Sequence, residues 1–502
     1  MGGPLGWRRL KTDFILFAAV VLGAAAIGLP FFQLSKRRDA LPGCILAAAL
    51  GAAILLVALN TVSPQPVPEF GSLLSSDTLG GLFGLITLSV TLGVTVFSIP
   101  TISSRANGPL YYSLLGFSAL GMLFLSFAAD LLILFIAWEL MSLPTYALAG
   151  FDKTREESNE ASAKYAILGA LSSAIILYAI SLSYGLSGST QISSVIRALG
   201  ANSTDPVSML AILLFVVGFG FKMSVVPFHM WVPDTYEGAP ITISTLFAAA
   251  TKKAGFVAAI RVVLAASTLY VVTQNPIFTI PNIFAVLALV TMTLGNLAAL
   301  TQKSMTRLLA YSSIAQAGYI LIGFVIYSYS QANPAYAADA TLGMTGALFH
   351  IINHSIMVSA AFLAVGLVLI GTKRADLGVF EGLAKRAPVT AFTLSVSLLA
   401  LAGVPPLNGF WSKLLLFLSV VSGPFAWLAV AAVLNSAFSV AYYVWIIKRM
   451  YMDEPENGEK LNEPLIYVVI FAVLAALMIG LGLFPQIGVA FSQNAVPSIL
   501  SP

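Results

Sequence analysis

Stretches of about twenty apolar residues, almost cleared of charge and joined by short turns, recur along this chain, and ~20 residues of helix is what the hydrocarbon core of a bilayer demands. About fourteen such runs can be drawn, starting near Phe14, Leu41, Leu79, Leu110, Leu131, Ala163, Val207, Ile241, Ile283, Arg307, Leu342, Val389, Phe425 and Leu465. Composition agrees with them: 58% of the 502 residues are apolar and 9% charged, against about 25% charged in a typical soluble domain. No soluble fold has interior enough to hide that much apolar surface, so a soluble enzyme, a nucleic-acid binder and a disordered chain are excluded. The expected fold is an all-α polytopic membrane protein of about fourteen transmembrane helices. Connections such as Ser63-Pro64-Gln65-Pro66-Val67-Pro68 and Asn333-Pro334 are too short to part soluble domains, so residues 1–502 read as one membrane domain.

Several chemistries drop out early. The one cysteine, Cys44, rules out an intrachain disulfide, and an iron–sulfur cluster held by this chain alone would need about four thiolates. There is no Gly-Lys dipeptide and hence no ordinary P-loop; Gly218-Phe219-Gly220 lies inside an apolar run and does not read as strand, turn and helix. Arg8, Arg9 and Lys11 before the first run have the form of a secretory signal, but the run is read as a retained span.

Basic residues set the expected orientation. Sixteen of the 25 Lys and Arg follow odd-numbered runs, among them Lys36, Arg37, Arg38, Lys153, Lys303 and Lys373; the opposite side holds Arg8, Arg9, Lys11 and Arg197. The odd loops are therefore expected on the cytoplasmic side, with both termini outside. The formal charge of +4 belongs to these loops and is not a nucleic-acid footprint.

Five basic residues remain, all within apolar runs: Lys222, Lys252, Lys253, Arg261 and Lys413. Among the acids only Glu139 lies well inside one. A charge at that depth costs about 2.5–3.5 kcal/mol by insertion scales, so such groups are usually functional and face a cavity or a partner. Arg261 reads as a residue near a helix end, its head snorkelling to the interface. Glu139, Lys222 and Lys413 have apolar neighbours and read as functional. Runs seven and twelve are also broken, the first by Pro227 after Lys222, the second by Pro405-Pro406 before Lys413. Proline removes a helix hydrogen bond, and in lipid the freed carbonyls must find water or protein. Paired interrupted helices suggest two inverted five-helix repeats, runs 4–8 and 9–13. The expected division is helices 1–3 over about 1–108, a first repeat over about 109–267, a second over about 280–450, and helix 14 over about 464–502.

His350 and His354 stand at i and i+4, on one helix face. The spacing suits a metal, but the third ligand and the glutamate of a metalloprotease are missing. A histidine titrates near neutral pH and passes protons, so a proton-wire role is favoured over a packed polar pair. His229, near the cytoplasmic end of broken run seven, reads equally well either way.

Val226-Pro227-Phe228-His229-Met230-Trp231-Val232-Pro233-Asp234-Thr235-Tyr236-Glu237-Gly238-Ala239-Pro240 resembles the signature of the antiporter-like membrane subunits of respiratory complex I, most of all the N-type (chain 2) subunit. Arg307-Leu308-Leu309-Ala310-Tyr311-Ser312-Ser313-Ile314-Ala315-Gln316-Ala317-Gly318-Tyr319 and the stretch from Leu401 to Lys413 fit the same family, and the likeness spans helices 4 to 13. It implies a charge pair of Glu139 (helix 5) with Lys222 (helix 7), a central relay at Lys252 (helix 8) and an outlet at Lys413 (helix 12). An L-type alignment would put Lys253 in the central place; Lys252 is preferred. Phe349-His350-Ile351-Ile352-Asn353-His354 departs toward the cation/proton antiporter and L/M-type pattern, and Val358 stands where many of those carry lysine. The mixture points to a complex whose electron donor is other than NADH, with reduced deazaflavin or ferredoxin as candidates.

The implied function is proton translocation in a complex I-like NADH (or other donor):quinone oxidoreductase of a prokaryotic cell membrane. No redox centre or metal is expected on this chain; quinone, flavin and iron–sulfur clusters are expected in partner subunits, alongside other antiporter-like and small membrane subunits. At ~4 Å and an effective dielectric constant of about 20 a charge pair is worth about 4 kcal/mol. Moving Glu139 toward or away from Lys222 would therefore load or empty it, with the proton passing by way of Lys252 and the histidines to Lys413. A subunit of a multi-subunit cation/proton antiporter or membrane-bound hydrogenase is the first alternative, and a stand-alone secondary transporter the second. A purely structural anchor would bear the cost of five buried bases for nothing.

Overall fold

Backbone amides find no water inside hydrocarbon, so a spanning chain closes its hydrogen bonds within helices. A computed structural model of the chain describes residues 5–35, 39–62, 67–69, 72–202, 205–267, 279–455 and 458–499. Lys36, Arg37, Arg38 and the Ser63-Pro64-Gln65-Pro66 turn lie outside the described residues.

In chain order the helices are α1 (Leu5–Gly28), α2 (Leu41–Thr61), α3 (Thr78–Ile102), α4 (Gly108–Phe127), α5 (Leu131–Ala149), α6 (Glu156–Ser187), α7 (Ile192–Ala201), α8 (Pro206–Met223) and α9 (Trp231–Gly238). Next come α10 (Ile241–Leu246), a π-helical turn (Phe247–Thr251), α11 (Lys252–Ala259), a second π turn (Ile260–Leu264) and α12 (Ala265–Ser267). The rest are α13 (Ile280–Leu300), α14 (Met305–Ala332), α15 (Ala337–Thr372), α16 (Leu383–Arg386), α17 (Pro388–Ala402), α18 (Asn408–Leu418), α19 (Ala426–Met452), α20 (Leu465–Leu483) and α21 (Pro485–Ala495). A two-stranded antiparallel hairpin, Val67–Glu69 with Leu74–Ser76, precedes α3. Among the described residues twelve helices are long and apolar enough to cross a membrane, which makes this an integral multi-pass membrane protein. The runs that begin at Ile241 and Val389 fold instead as interrupted helices.

The chain forms two compact units. One comprises Met1–Lys222, Ala250–Leu269 and Asn494–Pro502. Within it α1 packs on α2 and α4, α4 on α5, α5 on α6, and α11 on α3 and α4. Carboxylates cap two of its helices: Asp77, before α3, accepts from Gly80 N at 2.6 Å, and Asp130, before α5, accepts from Leu132 N at 2.8 Å. The buried hydroxyls of α3 bond back along their own helix, Thr91 to Thr87 O and Thr95 to Thr91 O, each at 2.7 Å. Polar side chains satisfied in this way ask for no partner.

The other unit comprises Met223–Ala249 and Tyr270–Gln493. Here α14 packs between α13 and α15, α15 also meets α17, α18 and α10, and α19 meets α13 and α17. The twelfth run breaks where its prolines say it should. α17 ends at Ala402; Gly403 takes φ +88° and donates to Leu399 O at 3.1 Å, Val404 donates to the same carbonyl at 3.0 Å, and the chain restarts as α18 at Asn408. This is the left-handed C-terminal turn that glycine permits. Asn353 and Asn408 pin α15 to the restart through paired bonds of 3.0 Å.

Candidate functional site

Each break places a buried lysine. At the first, α8 ends with Lys222 and Met223, Ser224 has φ 62° and the Val226–Pro227 peptide is cis. Lys222 is 1% exposed. Its Nζ donates to Ser142 Oγ of α5 at 3.0 Å and to the Tyr165 hydroxyl of α6 at 2.7 Å. It also lies 5.0 Å from the Tyr165 ring centre and 5.8 Å from those of Trp138 and Tyr146, where ring quadrupoles favour a cation.

Glu139, one turn before Ser142 on α5, is half-buried rather than enclosed. It accepts a hydrogen bond from Ser173 of α6. Tyr146 stands beside both Ser142 and Ser173, and the carboxylate is near enough to act on Lys222 electrostatically. Glu139 thus bonds to a hydroxyl of α6 and Lys222 to hydroxyls of α5 and α6, and no direct ion pair joins them among the described residues.

Lys252 and Lys253 open α11 directly after the π turn and are 1% and 0% exposed. Neighbours on a helix diverge by about 100°, so the two ammonium groups leave the axis on different sides. π turns occur mostly as single insertions and often at functional sites.

Arg261 departs from its expectation. It does not snorkel: its side chain is 2% exposed, and Nη1 and Nη2 hold both oxygens of Asp77 at 2.9 Å. Nε and Nη2 also donate to Ser126 O at 3.0 and 2.6 Å. Arg261 therefore ties the start of α3 to the end of α4. Asp77 escaped the sequence reading because it sits just outside its apolar run, as the capping residue of α3.

In the second unit Lys413, 3% exposed on α18, reaches back to the open end of α17. Its Nζ donates to Leu401 O at 2.8 Å, Ala402 O at 3.1 Å and Ser436 Oγ at 3.1 Å, which uses all three ammonium hydrogens. Carbonyls stranded by a helix end carry partial negative charge that favours a cation. The Tyr319 ring lies 4.7 Å away. His350, on α15 and fully buried, bonds through Nδ1 to Ser412 Oγ at 2.9 Å and through Nε2 to Gln316 Oε1 at 3.0 Å. His354 stacks on it with ring centres 6.3 Å apart. Gln316 Nε2 donates to Leu401 O at 3.1 Å, so Gln316, which bonds His350, and Lys413 share one carbonyl. His229, 8% exposed, lies in the turn before α9. Among the described residues no cluster of three or more His, Cys, Asp or Glu stands ready for a metal.

Residues 128–439 match the family described as NADH:quinone oxidoreductase/Mrp antiporter, TM. The chain belongs to this family. It is 39% identical over 436 residues to F(420)H(2) dehydrogenase subunit N of Methanosarcina mazei, covering 85% of each chain. It is 37% identical over 482 residues to NADH-quinone oxidoreductase subunit N of Desulfitobacterium hafniense, covering 94% of this chain and 95% of that protein. Among solved structures it is similar to a chain of respiratory complex I from Thermus thermophilus with bound aureothin, with a TM-score of 0.78 and 29% identity over 94% of this chain and 98% of that one. It is an antiporter-like membrane subunit of the N type. Glu139, Lys222, His229, Lys252, Lys253, His350, His354 and Lys413 all fall inside the segment that this antiporter-like family matches.

Ser142, Tyr165, Gln316, Ser412 and Ser436 complete these sites and were not singled out in the sequence. For Gln316 and Ser412 the signal was present, inside the Arg307–Tyr319 motif and the Leu401–Lys413 stretch; the other hydroxyls carried none.

Proposed function

We propose that this subunit translocates protons in a complex I-like respiratory oxidoreductase, driven by quinone reduction in a neighbouring subunit. One observation carries the reading. At each of two helix breaks a buried lysine is held by neutral oxygens: Lys222 by two hydroxyls, Lys413 by two carbonyls and a hydroxyl. Such a lysine can give up its proton without abandoning a bonded carboxylate. Arg261, locked to Asp77, is the contrasting structural solution.

In this reading Glu139 controls how strongly Lys222 keeps its proton, and the proton is handed on in the order Lys222, Lys252, the histidines, Lys413. Lys253 and His229 are lesser candidates for the same path. The two broken helices belong to inverted five-helix repeats, helices 4–8 and 9–13 of about fourteen. These follow helices 1–3 (about 1–108) and precede helix 14 (about 464–502), with both termini outside a prokaryotic cell membrane. Partner subunits supply the quinone site, flavin and iron–sulfur clusters. The donor is NADH or another reductant, with reduced deazaflavin or ferredoxin as candidates; the Methanosarcina mazei relative is named for F(420)H(2).

Glu139→Ala, Lys222→Ala and Lys413→Ala, each in the assembled complex, are expected to abolish or strongly reduce proton pumping per electron in membrane vesicles. Near-normal pumping in all three would remove the assignment. The helix carrying His350 and His354 favours a second reading, a subunit of a multi-subunit cation/proton antiporter, whose name the family shares.

A further inference from the structure

We propose that Gln316 fixes the hydrogen on His350 Nε2, so that Nδ1 is the atom at which this ring gains and loses the translocated proton. This deepens the proton-translocation reading and rests on it. The Leu401 carbonyl only accepts, so the nitrogen of the Gln316 amide must face it, at 3.1 Å. The amide oxygen then faces His350 Nε2 at 3.0 Å. That oxygen also only accepts, so Nε2 carries a hydrogen in the neutral ring and in the cation alike. The proton that distinguishes the two states therefore sits on Nδ1.

The Nδ1 side is built for both states. Ser412 Oγ lies 2.9 Å from Nδ1 and 3.2 Å from Gly409 O. When Nδ1 is bare, the hydroxyl donates to it. When Nδ1 has taken a proton, the hydroxyl turns to Gly409 O and accepts from Nδ1–H. One rotation satisfies each state without moving a heavy atom, at residues that are 0% exposed (Ser412, His350) and 1% exposed (Gln316). An amide cannot relay protons under these conditions, so Gln316 closes the Nε2 side and is a positioning residue. The proton enters and leaves on the side of Ser412, next in sequence to Lys413.

The test is nitrogen NMR of the membrane-embedded complex carrying isotope-labelled histidine, with the His350 signals assigned by their loss in His350→Gln. At a pH where the ring is neutral, the wild type is expected to show a protonated Nε2 and a bare Nδ1. Gln316→Met removes the acceptor at similar volume and strands a buried N–H, which is expected to shift the tautomer ratio by roughly tenfold toward Nδ1–H and to lower pumping per electron. Ser412→Ala is expected to lower pumping while keeping the wild-type tautomer. A wild-type ring with hydrogen on Nδ1, or a Gln316→Met ring with unchanged tautomer, would overturn the inference, and the wild-type spectrum decides even if Gln316→Met fails to assemble. If the tautomer is as stated but His350→Gln and Lys413→Ala pump normally, the translocation reading falls instead.

Discussion

Arg261 and Lys413 are both buried cations, 2% and 3% exposed, yet their settings ask different things of them. Arginine keeps its charge at any working pH, and Arg261 is matched by a fixed carboxylate. Removing it strands Asp77, and breaking such a pair from one side costs about 3–5 kcal/mol. Arg261→Ala is therefore expected to cut the amount of assembled complex and its thermal stability, with Asp77→Asn in the same chain restoring part of both; no recovery in the double variant would count against this account. Lys413→Arg is the converse experiment. The guanidinium keeps a cation against the Leu401 and Ala402 carbonyls but does not release a proton, so assembly is expected to survive while vesicle pumping is lost. Pumping at the wild-type rate would show that Lys413 only plugs the helix end. The lysines were legible in the sequence because charge in an apolar run has no cheap explanation. Ser142, Ser436 and Tyr165 were not, since a hydroxyl in a helix can equally bond to its own backbone, as Thr91 and Thr95 do.

At the level of elements, the break in the twelfth run depends on two glycines for different reasons. Gly403 has φ +88°, where any other residue strains the backbone by about 1–2 kcal/mol. Gly409 lies where a Cβ would come within 1.8 Å of the Ala400 carbonyl oxygen, closer than atoms can approach. The two half-helices overlap because that position is bare. Gly409→Ala is thus expected to be the more damaging, forcing α18 away from α17 and taking Lys413 off its carbonyls, with pumping and thermal stability falling together. Gly403→Ala, whose Cβ would lie 3.1 Å from Lys413 Cδ, should lower stability and pumping by the smaller amount; the reverse order would mean that the overlap is not what seats Lys413. Apolar length marked about fourteen runs, and among the described residues twelve are helices long enough to span; Pro227 and Pro405-Pro406 marked both breaks. The π turns around Lys252 were invisible, because nothing in Ile241–Ser267 interrupts the helix chemically. α10 packs against α15 in one unit and α11 against α3 and α4 in the other.

For the whole molecule the question is where the energy comes from. The chain bears buried ionisable groups, and a proton moved against a gradient needs a supply of free energy that a set of lysines does not contain. Two spans point the same way: Ala426–Met452 and Leu465–Leu483 leave most of their residues unburied by this chain, so those faces meet lipid or other subunits. Two measurements on the same preparation separate the possibilities. Isolation in mild detergent is expected to bring down the membrane subunits and quinone-reducing module of an oxidoreductase, whereas antiporter or hydrogenase subunits in their place would favour the second reading. Reconstituted alone in vesicles, the chain is expected to drive neither solute uptake nor sodium–proton exchange, because its switch at Glu139 and Lys222 has nothing to operate it. Uptake of a solute by the single chain would transfer the buried lysines to a coupling-ion site and make the protein a transporter in its own right.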